Sequence, residues 1–168
     1  MRYSTHIVTG IAIGTTLVAN DLVPTPDFSE YGFTGLANIF VFLAVLAVGS
    51  LLPDIDHSKS FISRKLGVSL PVGHRGITHT IYPYAFLIYL SLTGNIGHPD
   101  FVFWLSVGAL LHMVGDMHTA GGVKLFGFGP SLTLFGPLSF KTGSLVEYIF
   151  FAGYAALLYF SLLSMGVI

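Results

Sequence analysis

Polar and apolar positions alternate in long blocks rather than at short period. Five stretches run without Asp, Glu, Lys or Arg: residues 3–20, 31–53, 80–99, 101–115 and 148–168. A helix that crosses the hydrocarbon of a bilayer needs about 20 mostly apolar residues. The fourth stretch reaches that length only if its helix runs on through His118. A sixth uncharged run, 125–140, contains Gly127, Gly129, Pro130, Gly136 and Pro137. Such a run cannot sustain a helix and reads as a loop lying on, or dipping into, the membrane interface. The expected fold is therefore all-α: a single-domain polytopic membrane helix bundle over residues 1–168, with about five transmembrane helices. The first stretch has a second reading as a cleaved signal peptide, with Arg2, an apolar core and Val18-Ala19-Asn20. Against it, His6, Gly10 and Gly14 recur at four-residue spacing, the mark of a close-packing helix face.

Composition agrees with a membrane solvent. Charged residues make up 9% of the 168, against about 25% in soluble domains, and mean hydropathy is +0.78. Threading five spans puts the N-terminus and the loops 54–79 and 116–147 on one side. That side receives all 7 basic residues: Arg2, Lys59, Arg64, Lys65, Arg75, Lys124 and Lys141. The other side receives Asp21, Asp27, Glu30 and Asp100 and no base. By the positive-inside rule the basic side is cytoplasmic. A net charge of -1 with no basic stripe excludes nucleic acid as an obvious partner. With no cysteine, any metal must be held by nitrogen and oxygen.

The same threading gathers His6, Asp54, Asp56, His57, His74, His79, His112, Asp116 and Glu147 at the cytoplasmic ends of the spans, and only His98 among the histidines lies elsewhere. Imidazole and carboxylate are the ligands of zinc and its first-row neighbours. His112 and Asp116, four apart on one helix face, can grip one ion or form a hydrogen-bonded pair; ionisable residues in an apolar span default to function. Pro53 stops the second helix, so Asp54, Asp56 and His57 follow on irregular backbone where they can converge. They could instead be a solvated acidic turn. Gly73 and Gly76 let the chain turn around His74 and Arg75, and Thr78 is an expected N-cap for the third span, with His79 in its first turn. Arg75 reads equally as a clamp for an anionic group or as a cytoplasmic anchor. Glu147 reads as a proton carrier or as a carboxylate favoured by a helix N-terminus. His118 cannot share the face of Asp116 and is left out of the site.

LLPDIDHSKSF (51–61), GHRGITHT (73–80) and HMVGDMHTAGGV (112–123), with a weaker Gly143…Glu147 tail, resemble the YdjM-like family of inner-membrane metal-dependent hydrolases, in order and spacing across nearly the whole chain. The resemblance implies that His6, Asp54, Asp56, His57, His74, His79, His112, Asp116 and Thr119 are the positions of interest. His118 departs from the family, which usually has an apolar residue there, and Ala120 stands where proline is common. A looser similarity to zinc-dependent phospholipase C and P1-type nucleases favours phosphoester chemistry by analogy.

Together these readings lead to a metal-dependent hydrolase. Its metal ligands are expected to be His6, Asp54, Asp56, His57, His79, His112 and Asp116, around one or two divalent ions, Zn foremost with Mn or Fe as alternatives. Seven ligands exceed the needs of one zinc, which points to a pair. His74 or Glu147 is expected to move the proton and Arg75 to hold a phosphate. A site at headgroup level points to a membrane lipid or lipid-linked substrate. The competing classes are a metal transporter or sensor, and a non-catalytic membrane partner protein with a structural metal.

Overall fold

The computed structural model describes residues 1–70, 76–136 and 139–168. Within them the fold is all helical, with isolated β-bridges but no strand. Six α-helices follow in order: α1 (Tyr3–Ala19), α2 (Gly35–Gly49), α3 (Phe61–Leu66), α4 (Ile81–Leu92), α5 (Pro99–Met117) and α6 (Leu145–Ser164). Short 3₁₀ turns form at Ser29–Tyr31, Leu52–Asp56 and Ile77–His79.

α5 is the central strut, packed against α1, α2 and α4, while α6 lies along α1. One apolar core joins Val18, Phe28, Phe42, Leu46, Trp104 and Leu111. A second, around Tyr84, Ala109, Met113 and Val123, seals α4 to α5 and to the loop after α5. Glycines set the closest crossing. Gly49 and Gly108 face one another where α2 meets α5: a Cβ on Gly108 would lie 2.7 Å from the Leu46 carbonyl oxygen, and one on Gly49 would collide with that of Leu105. Small residues at such a point let two backbones touch. The expected packing face of α1 is present too, since Gly10 abuts Ser50 and Gly14 abuts Leu46 of α2.

Helix lengths differ from the expected spans. α5 and α6 are long and apolar enough to cross a membrane; α1, α2 and α4 are apolar but shorter, at 17, 15 and 12 residues. At 1.5 Å per residue α4 is about 18 Å long, against about 30 Å of hydrocarbon. The missing length went into turns. The second expected span loses its start to Ser29–Tyr31, closed by Gly32 in the left-handed region (φ 84°), and its end to the 3₁₀ turn containing Pro53. The third stops at Thr93, because Gly94 (φ 70°) reverses the chain. The fourth begins earlier than expected, with Pro99 in its first turn, and ends at His118 as its C-cap. α3 lies inside a segment expected to be loop; Ser60 caps it by accepting from the Ser63 amide at 3.2 Å. The described part of 125–140 contains no α-helix, in keeping with its glycines and prolines.

Candidate metal centre

Four separate segments deliver their ligands to one end of the bundle. His6 comes from the first turns of α1, Asp54 from the 3₁₀ turn after α2, His79 from the turn before α4, and His112 and Asp116 from the last turns of α5. They form two trios: His6, His112 and Asp116, and Asp54, His79 and His112. Within each trio one ligand atom per residue lies within 4.8 Å of the others. His6 Nε2 is 3.4 Å from Asp116 Oδ1, and His79 Nε2 is 3.6 Å from Asp54 Oδ1. His112 Nε2 stands between the carboxylates, 3.8 Å from Asp54 Oδ1 and 3.9 Å from Asp116 Oδ2. Bonds of about 2.0–2.1 Å to a tetrahedral ion put neighbouring ligand atoms about 3.3 Å apart. The observed separations sit at or just beyond that figure.

Packing explains why the rings meet. His6 stacks on His112 with centroids 3.8 Å apart and planes 9° from parallel, and His79 meets His112 edge-on at 5.3 Å. Gly115 makes room for the stack: a Cβ there would lie 3.0 Å from His6 Nδ1 and 2.5 Å from Met1 Cε. The Gly49–Gly108 crossing lies one residue before Ser50 and one helical turn before His112, and it brings the Ser50 carbonyl to 2.8 Å from His112 Nδ1. A carbonyl only accepts, so Nδ1 carries the ring proton and Nε2 keeps its lone pair. That Nε2 is buried and makes no hydrogen bond among the described residues; the same holds for His6 Nδ1.

His6, His79, His112 and Asp116 are all buried, whereas the Asp54 side chain is 25% exposed and forms the open edge. Burial alone would raise the Asp54 carboxyl, but His79, His112 and His6 beside it outweigh this and hold it at about 2. It is therefore ionised at any physiological pH. The Met1 ammonium lies 3.2 Å from Asp116 Oδ1, a further positive charge on that carboxylate.

The other expected site residues fall elsewhere. Asp56 is buried behind His79, with Oδ2 3.4 Å from that ring's Nδ1, and belongs to neither trio. His57 is exposed at the end of its turn and is likewise outside both. Glu147 is buried, but its oxygens accept from the backbone amides of Arg2 (2.6 Å) and Gly143 (2.5 Å), tying α1 to α6. In this position the carboxylate braces the start of α1 against α6. His74 and Arg75 lie outside the described residues. Thr78 does not cap α4. That position belongs to Thr80, whose hydroxyl donates to the Ile77 carbonyl, while Thr78 donates to Asp56 Oδ2 at 2.7 Å. Thr119 closes the end of α5 through its hydroxyl and the Asp116 carbonyl. His118 donates from Nδ1 to the Val114 carbonyl and accepts at Nε2 from Tyr154, so both nitrogens are used away from the trios. Ser50 escaped the sequence reading because it acts through its backbone, which no side-chain motif reports.

Comparison with known proteins fits this arrangement. The family model described as YdjM inner membrane protein matches residues 1–165, nearly the whole chain and every segment that carries a ligand. The chain belongs to the YdjM inner membrane protein family. Among family relatives, "Uncharacterized protein YvsG" of Bacillus subtilis (strain 168) is 32% identical over 99% of this chain and 98% of its own length. "Inner membrane protein YdjM" of Escherichia coli (strain K12) is 39% identical over 45% of this chain and 43% of its own. No solved structure matches. As a family member the chain is an inner-membrane protein, and its buried imidazole and carboxylate groups are able to hold a metal ion.

Proposed function

We propose that this protein is a membrane-embedded metal-dependent hydrolase that cleaves an ester or phosphoester of a lipid or lipid-linked substrate, with one divalent metal bound by His6, Asp54, His79, His112 and Asp116. The observation that carries the reading is the orientation of His112. Its proton is committed to the Ser50 carbonyl, and its bare Nε2 faces two carboxylates across a buried gap. A buried lone pair aimed at two anions is unfavourable unless a cation stands among them.

One ion is proposed rather than a pair, because His112 Nε2 belongs to both trios and one imidazole nitrogen offers one lone pair. A bound divalent ion supplies Lewis-acid polarisation and a nucleophilic hydroxide near neutral pH. The protein's own groups do the rest. The three imidazoles and Asp116 hold the ion from the buried side, and the exposed edge at Asp54 is where a substrate reaches it. Asp54, held at about 2, contributes charge rather than proton transfer. His74 and Arg75, five and four positions before His79, are the proposed proton carrier and anion clamp by sequence position.

The membrane arrangement belongs to the same proposal: five apolar helices cross or enter the bilayer with the metal end cytoplasmic. Its support is that Arg2, Lys59, Arg64, Lys65, Lys124 and Lys141 all lie in segments at the ligand-bearing helix ends. The burial of four of the five ligands favours a second reading, a structural ion that only ties helices together. Elemental analysis of detergent-purified protein, then a release assay against a panel of membrane phospholipids, separates the two. Hydrolysis that Asp116→Ala abolishes is expected. Stoichiometric metal with no turnover of any lipid supports the structural ion, and protein lacking metal overturns both.

A further inference from the structure

Asp56 carries polar contacts that the ligand trios leave unexplained. It is 6% exposed, it follows Asp54 by two residues, and the ligand trios do not use it. The Thr78 hydroxyl donates to its Oδ2 at 2.7 Å, and the same Oδ2 lies 3.4 Å from His79 Nδ1. Thr78 Oγ1 itself is 3.2 Å from His79 Nδ1. Thr78 is fixed in turn, because the Tyr84 hydroxyl of α4 donates to its backbone carbonyl at 2.7 Å.

Among the described residues, the donors and acceptors of this group point one way. An ionised carboxylate only accepts, so the single hydroxyl proton of Thr78 is committed to Asp56. Towards His79 Nδ1 both oxygens are then acceptors, and the ring satisfies them only by carrying its proton on Nδ1. The lone pair is thereby sent to Nε2, the nitrogen 3.6 Å from Asp54 Oδ1 and in the trio with His112. His112 reaches the same state by different means, through the Ser50 carbonyl.

We propose that Asp56, steadied by Thr78 and Tyr84, is a positioning residue that fixes the tautomer and ring angle of His79, so that Nε2 is the metal-binding atom. Asp56 acts from behind the imidazole and does not touch the ion. The inference rests on the metal-binding reading above for its purpose. Its statement about the proton stands on hydrogen-bond chemistry alone. Carboxylates behind ligating histidines have this effect generally, and their loss typically weakens metal binding by about 10–100-fold.

Two measurements test it. Nitrogen-15 spectra of histidine-labelled, metal-free protein in nanodiscs report the tautomer of His79 directly, and Nδ1–H is expected. In Asp56→Asn, whose amide can donate as well as accept, a shift towards the Nε2–H form is expected. Chelator competition with Co²⁺ then reads affinity: wild type binds one ion, Asp56→Asn still saturates at one but about 10–100-fold more weakly, and Asp56→Glu recovers part of the loss. Thr78→Val, which keeps the shape and removes the hydroxyl, guards against misfolding of the Asp56 variants and is expected to weaken binding in the same direction. A wild-type His79 protonated on Nε2, or Co²⁺ affinity unchanged in both Asp56→Asn and Thr78→Val, overturns the inference while leaving the metal centre intact. Wild type that binds no Co²⁺ but shows the expected tautomer instead refutes the metal-binding reading alone.

Discussion

His112 is the residue on which both ligand trios turn, and its removal has no local substitute. His112→Ala is expected to reduce bound metal to background, as read by elemental analysis after gel filtration. His57→Ala is expected to leave metal content at the wild-type level, because that ring is exposed and outside both trios. Equal loss in the two variants would show that the trios misassign the ligands. Glu147 gives a contrasting case. Glu147→Gln turns one acceptor into a donor opposite a backbone amide and is expected to cost about 1–3 kcal/mol of stability, with metal stoichiometry unchanged. Thermal unfolding in detergent, paired with metal analysis, checks both halves. Residue types and spacing made His6, Asp54, His79, His112 and Asp116 legible from the sequence, since ionisable side chains beside hydrocarbon need a reason to be there. Asp56 and Glu147 were legible as important but not in role. What decides their roles is which neighbour donates a proton to them, and that neighbour is Thr78 in one case and two backbone amides in the other.

Among the helices, the α2–α5 crossing has the greatest leverage on the site. Gly108→Ala places a methyl group against the Leu46 carbonyl and the Gly49 backbone. Overpacking of this kind costs about 1–3 kcal/mol, and the rigid neighbours here are backbone atoms. The expected outcome is a lower unfolding temperature together with weaker Co²⁺ binding, because the Ser50 carbonyl moves with α2 while His112 stays on α5. Gly153→Ala is the control: nothing lies within 4 Å of a Cβ there, and no loss of either quantity is expected. The apolar runs foretold which segments are helical, but they overstated α2 and α4. Absence of charge does not distinguish helix from an uncharged turn, and Gly32, Gly94 and Pro53 ended those helices inside their runs.

For the whole molecule, the chain's lack of cysteine makes orientation accessible to experiment. Single substitutions Lys65→Cys and Lys124→Cys are expected to be shielded from a membrane-impermeant maleimide in intact spheroplasts and labelled after lysis, with Asp27→Cys showing the reverse. Labelling of all three from outside would remove the cytoplasmic placement of the metal end. Acid is expected to strip the ion. Imidazole binds metal only in its neutral form, so protons compete with the ion for His6, His79 and His112 and occupancy should fall as pH drops. Asp54 acts in the same direction but at lower pH. Its carboxyl is depressed, so its contribution is complete above the usual carboxylate range and is lost only as pH approaches about 2. Metal loss that begins only as pH approaches about 2, read by equilibrium dialysis, would implicate Asp54 rather than the imidazoles. Chelation is also expected to lower stability; an ion at a hundred times its dissociation constant contributes about 2.7 kcal/mol.

On the proposed metal-binding, membrane-crossing reading, the Gly49–Gly108 pinch would couple a bound cation to the surrounding lipid. Its two glycines leave no side chain to buffer a change in helix tilt, so a bilayer whose thickness prises α2 from α5 withdraws the Ser50 oxygen from His112 first. Freed of that acceptor, the imidazole can move its proton to Nε2 and release its hold. Metal affinity should therefore vary with acyl-chain length in nanodiscs, and Gly108→Ala, already wedged open, should respond less.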